Sequence, residues 1–133
     1  GDAQTSVYVT RNNVLPGPPA WVPLFLDGVG QTITIPPNRT VTFDILISAR
    51  DQSPIGVSAG WTIRGVVKDQ GGLAVLVGAP TVTLLAADPP VAPLGWNVNA
   101  TVAGNALIVQ VNNGLNPVPI RWVASVRTSE VNW

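Results

Sequence analysis

The chain has 133 residues, 46% of them apolar and 11% charged, and its seven basic and seven acidic side chains cancel at pH 7. A length of this order suits one domain with a buried core, and an apolar, weakly charged composition excludes a disordered tail. With neither cysteine nor histidine, disulfides, thiolate or imidazole metal sites and histidine-based catalysis are excluded as well.

Thirteen prolines and thirteen glycines punctuate the chain, and the segments between them are rich in Val, Ile, Thr and Trp, the composition of strands rather than helices. In chain order the pattern predicts strands over Gln4–Arg11, Trp21–Leu26 and Gln31–Ile35. Next comes Thr40–Arg50, where Val41, Phe43, Ile45, Ile47 and Ala49 share one face. Gly60–Asp69 alternates likewise, and Gly65 within it marks a bulge or a close approach of backbones. Leu73–Val77 and Thr81–Ala86 follow, separated by Gly78-Ala79-Pro80. Asp88-Pro89-Pro90-Val91-Ala92-Pro93 predicts an exposed loop, because proline lacks the ladder donor of an inner strand. Gly95–Val102 and Leu107–Val111 flank the short connection Ala103-Gly104-Asn105. Ile120–Thr128 closes the series, within an alternating run that extends to Val131. Many short strands with turn signals between them imply an all-β chain, an antiparallel β-sandwich with jelly-roll-like character forming a single domain over residues 1–133. The start at Gly1 rather than Met leads us to expect a processed or excised part of a longer protein.

Little in these residues points to chemistry. Asp27, Asp51, Asp69 and Asp88 stand beside turn residues, where a short carboxylate holds local backbone, and Asp44 sits on the polar face of a strand. No catalytic residue, cofactor or metal ligand is expected, and the chain is read as not an enzyme. The scattered arginines form no track for phosphates, so nucleic acid is not an expected partner, and no apolar run is long enough for membrane insertion by a helix. Trp61, Trp96 and Trp122 lie in phase with apolar neighbours and belong to the core. Trp21, after the proline-rich Pro16–Pro19 segment, and Trp133 at the C-terminus are expected at the surface or in a subunit contact. With Pro18, Pro19, Ser53, Pro54, Pro90 and Pro93 in the neighbouring loops, they make up the candidate recognition or contact residues.

The order of segments resembles a β-rich domain of bacteriophage tail-fibre and tail-spike proteins. The resembling pieces begin with Gly1-Asp2-Ala3-Gln4, Leu24-Phe25-Leu26-Asp27-Gly28 and Ile35-Pro36-Pro37-Asn38-Arg39-Thr40 leading into a strand that ends Ser48-Ala49-Arg50. They continue with Ala59–Lys68, Val77-Gly78 and Ile120–Val131, and together span nearly the whole chain. The resemblance implies a virion component: a trimeric tail-fibre or tail-spike module contributing to host attachment by receptor binding. Its implied partners are two identical chains, other virion proteins and a host cell-surface glycan or protein. A capsid or neck decoration protein without host contact is the alternative, and a polysaccharide depolymerase working through carboxylates such as Asp44, Asp51 and Glu130 is the third reading. The loops rich in proline, Pro16–Pro19 and Pro89–Pro93, depart from the family pattern and leave both a tip and an internal position open.

Overall fold

The structure is a computed structural model that describes residues 3–133. Gly1 and Asp2, which open the resembling segments, lie outside the described residues. Ten strands and one helical turn run in the order β1 (Ala3–Val14), β2 (Val22–Pro23), β3 (Ile33–Thr34), β4 (Arg39–Asp51), β5 (Ser58–Gln70), β6 (Leu73–Leu76), β7 (Thr81–Ala87), α1 (Val91–Leu94), β8 (Asn97–Ala103), β9 (Ala106–Asn112) and β10 (Ile120–Asn132). All strand pairings are antiparallel. The expected all-β, antiparallel class is the one found.

The larger sheet has the order β1-β10-β4-β5, and β5 pairs on its far side with β6 at one end and β7 at the other. β6 and β7 thus form one edge strand interrupted at Gly78-Ala79-Pro80, as those turn residues predicted. The smaller sheet is built on β9, with β8 on one side and β2 and β3 end to end on the other. β2 tolerates Pro23 because it pairs on one side only. Ala103 pairs with Ala106, so Gly104-Asn105 is the two-residue turn of the β8–β9 hairpin.

Period-two alternation decides which face is buried. On β4, Val41, Phe43, Ile45 and Ile47 face inward, and on β10, Ile120, Trp122, Ala124 and Val126 do the same. Register makes them partners: Ile45 stands opposite Val126 and Ile63, and Ile47 opposite Ala124 and Trp61. The smaller sheet adds Val98, Leu107, Val109 and Val111 to the same core cluster. Because inward side chains of both layers share one cluster, removing water from that face stabilises the sandwich as a unit.

Trp122 is the centre of this core. Its ring stacks on Trp61 with centroids 5.5 Å apart and meets Trp96 at 6.0 Å in a tilted arrangement. The three tryptophans assigned to the core are all buried.

Two local expectations are corrected. The expected loop at Asp88–Pro93 contains the helical turn α1, with Val91 buried in the core and Gly95 closing the turn at φ +81°. Pro93 fits there because the first turn of a helix has N–H groups without intrahelical partners anyway. Pro90 and Pro93 themselves are exposed. The register shift of β5 against β7 falls at Gly60/Trp61 rather than at Gly65. What Gly65 accommodates is a side chain rather than a second backbone: it stands opposite Phe43, and a Cβ there would lie 2.7 Å from the Phe43 ring. Gly65→Ala is therefore expected to destabilise the fold by about 1–3 kcal/mol through overpacking, seen as a lower thermal midpoint; an unchanged midpoint would show that the ring yields freely.

Candidate functional site

The outer face of the larger sheet carries the side chains that alternate with the core set. Cross-strand partners on one face stand about 4.5–5.5 Å apart between Cβ atoms, so register reads out which groups meet. One row runs Val7, Arg127, Asp44, Arg64 and Thr81 across β1, β10, β4, β5 and β7. Here a carboxylate stands between two guanidinium groups, and Arg64 Nε donates to Asp44 at 3.4 Å. A second row runs Asn13, Arg121, Arg50 and Ser58. In it two arginines face each other with no acid between them.

This second row crosses a concave surface of about 960 Å³ on the outer face. Its floor is small and apolar, made by Gly60, Ala86 and Val123, and its polar rim is made by Asn13, Ser48, Arg50, Gln52, Asp88 and Arg121. Register assembles this patch from three strands, since Ser48 on β4 stands opposite Val123 on β10 and Gly60 on β5. A smaller hollow of about 390 Å³ lies on the same sheet around Val7, Thr42, Asp44 and Arg127.

The walls of the groove are held from behind. Asp51 ends β4 with its side chain buried on the core side. Its Oδ1 accepts from the Ser53 N–H at 3.0 Å, the Val57 N–H at 3.0 Å and the Ser53 hydroxyl, and its Oδ2 accepts from Asn116 Nδ2 at 3.4 Å. Asn116 in turn accepts from the Trp96 indole at 3.2 Å, and Asn113 accepts from the Trp122 indole at 2.8 Å. Burial pushes the Asp51 carboxyl up, but the Ser53, Asn116 and Val57 donors outweigh it and hold the group below its ordinary value. Asp88 fixes the opposite wall: its Oδ2 accepts from the Ser58 N–H at 2.8 Å, while its own N–H donates to the Ser58 carbonyl at 2.9 Å. Gly56, at φ +62°, passes so close to the Arg50 guanidinium that any side chain there would collide with it.

Aspartates read as turn stabilisers do hold backbone. Asp27 Oδ1 accepts from the N–H groups of Val29, Gly30 and Gln31 at 2.8–2.9 Å. The Gln31, Gly30 and Val29 donors lower its pKa to about 2. Asp69 accepts from the Asn38 N–H at 3.1 Å.

The eight residues that the sequence singles out for recognition or contact are not gathered at the groove. Pro18, Pro19 and Trp21 lie together in the exposed β1–β2 connection, Ser53 and Pro54 in the β4–β5 turn, Pro90 and Pro93 at α1, and Trp133 is fully exposed at the far end of β10. None of these eight residues lines the groove. Sequence reasoning missed Arg50 and Arg121, whose adjacency depends on the β4–β10 register; the only sequence signal was that each sits on the polar phase of an alternating strand. Among the described residues no helix is long and apolar enough to cross a membrane.

No family model matches the sequence, and no curated protein matches it. Solved structures do match the fold. The chain is similar to the tailspike protein gp49 of the Acinetobacter baumannii bacteriophage Fri1, a capsular polysaccharide depolymerase, with a TM-score of 0.50 and 12% identity over 99% of this chain. It is also similar to the tailspike proteins of Acinetobacter baumannii phage AM24 (TM-score 0.45, 10% identity, 97% of this chain) and Acinetobacter phage vB_ApiP_P1 (TM-score 0.43, 10% identity, 96% of this chain). The chain spans 20% of the length of gp49, 26% of the AM24 protein and 21% of the third. The likeness to gp49 corrects the expectation that no enzyme is involved, because that protein, which contains this fold, is a depolymerase. The expectation failed for a physical reason: an enzyme of that length need not show its reacting groups in every 133-residue stretch, and glycoside cleavage by carboxylates needs neither histidine nor cysteine. The chain has the fold of a domain found in a phage tailspike, the family of virion tail appendages that its sequence resembles.

Proposed function

We propose that this chain is a domain of a longer, homotrimeric phage tailspike that attaches to and depolymerises a host capsular polysaccharide. The observation that carries the reading is the match of the fold to gp49 over 99% of the chain. The surface supports the assembly. All seven residues of β7, Thr81–Ala87, are exposed at the sheet edge without a single charge, and Leu84 and Leu85 are each more than half exposed. At the opposite edge, Val7 and Val9 of β1 are exposed too. Bare apolar edges of this kind promote association and are normally covered or charged. Sister chains cover them in the trimer, and Trp21 and Trp133, with Pro18, Pro19, Ser53, Pro54, Pro90 and Pro93, are contact or recognition residues at its surface. Multivalent display on one particle then gives weak single sites their avidity.

Light scattering tests the assembly and is expected to give three times the chain mass. Capsular polysaccharide from a panel of capsulated Acinetobacter strains, incubated with the parent tailspike, is expected to lose viscosity with at least one strain. A monomeric chain whose parent leaves every capsule intact would overturn the proposal.

A further inference from the structure

Arg50 and Arg121 stand directly opposite each other in the β4–β10 register and both line the groove. Neither forms an ion pair or a side-chain hydrogen bond among the described residues. Like charges directly opposite on a sheet destabilise it. Further along the same face, the row Arg127–Asp44–Arg64 relieves the same problem with a carboxylate, and among the described residues only the groove row lacks that relief. Arg50 and Arg121 are both exposed, and the Arg50 guanidinium lies beside the Gly56 backbone.

We propose that the Arg50–Arg121 pair is a subsite for the carboxylate of an acidic sugar, the groove binding an anionic stretch of polysaccharide. Guanidinium groups match a carboxylate through two parallel N–H···O bonds, which gives geometric selection as well as attraction. The remaining lining suits a sugar chain. Asn13, Gln52 and Ser48 offer amide and hydroxyl partners. Asp88 has one oxygen engaged by the Ser58 N–H, and its other oxygen accepts from sugar hydroxyls. The apolar floor takes the C–H face of a pyranose ring. No aromatic ring lines the groove among the described residues, so charge and hydrogen bonding, rather than stacking, set the selectivity. This inference rests on the polysaccharide-binding reading above and names the class of sugar.

The test is an amide NMR titration of the chain with tetragalacturonate, oligosialic acid and the methyl ester of tetragalacturonate. Both acidic probes are expected to shift the amides of Gln52, Ser58, Arg121 and Val123, and the neutral ester is not. Arg50→Gln and Arg121→Gln are each expected to weaken binding about tenfold, as loss of one charge-assisted contact does, while Arg64→Gln leaves it unchanged. Near-ultraviolet circular dichroism of the buried tryptophans verifies that each variant is folded. The proposal is overturned if neither acid shifts these amides, if the ester binds equally, or if the double variant keeps its affinity. A parent spike that degrades capsule while the chain ignores both acids sinks this inference alone; binding of the acids by a monomer whose parent spares every capsule sinks the tailspike reading alone.

Discussion

Trp122→Ala is expected to destabilise the chain by about 3–5 kcal/mol, the range for emptying a buried aromatic site. The ring is fully buried between Trp61 and Trp96 and donates its indole N–H to Asn113. Truncation removes two aromatic contacts at once and leaves the Asn113 carbonyl without its donor, although Asn113 keeps its own bond to the Val14 carbonyl at 2.9 Å. A cavity so far inside a sandwich collapses poorly, because β4, β5 and β10 are pinned by long ladders on either side. Since single domains are stable by only about 5–15 kcal/mol, the variant should unfold at a much lower denaturant concentration when followed by far-ultraviolet circular dichroism. Trp122→Phe separates the two contributions: it refills most of the volume but cannot serve Asn113, so it should lie between wild type and alanine. Equal stability of the alanine variant and wild type would show that Trp122 does not centre the core.

Asp51→Ala ranks second, at about 2–4 kcal/mol, because it strands donors that are costly to leave unpaired. The Ser53 N–H, Val57 N–H, Ser53 hydroxyl and Asn116 amide all lose their acceptor. The effect also depends on pH. The folded-state pKa of Asp51 is depressed below 3.8. Its contribution is therefore complete above the unfolded value and is lost as pH falls through the lower folded value. Asp27 acts with the same sign, its pKa being about 2, but it is present in wild type and variant alike. Denaturation followed from neutral pH down through about pH 4 to pH 2 should thus show a steeper acid loss in wild type than in Asp51→Asn. Parallel curves would mean that the carboxylate charge adds nothing to the folded state. The same variant should loosen the Ser53–Val57 turn, and with it the Gly56 backbone beside the Arg50 guanidinium.

These two residues illustrate different degrees of legibility. The core position of Trp122 is legible because it falls in phase with Ile120, Ala124 and Val126, and period-two patterning is a local property that a single strand displays. Asp51 stands beside turn residues in the sequence, and its bonds to Ser53 and Val57 match that setting, yet its bond to Asn116 joins residues 65 positions apart and has no local signal. The two short strands β2 and β3 came out shorter than Trp21–Leu26 and Gln31–Ile35 suggested, because Asp27 pulls the chain between them into a turn that leaves the β9 ladder. The helical turn α1 was hidden for a similar reason: proline content argued against a strand, and burial of Val91 was invisible without the partner it packs on.

Alternation and turn chemistry are written into neighbouring residues. For that reason the all-β class, the buried face of each long strand, the three core tryptophans and the segment order that resembles a tailspike domain could all be read along the chain. Strand pairing and register came from the folded sandwich instead, and register is what brings Arg121 beside Arg50 and sets Asp44 between Arg127 and Arg64. A strand's own residues show which face each side chain takes, but not which neighbour it meets across the ladder; that choice is made by the packing of both sheets together.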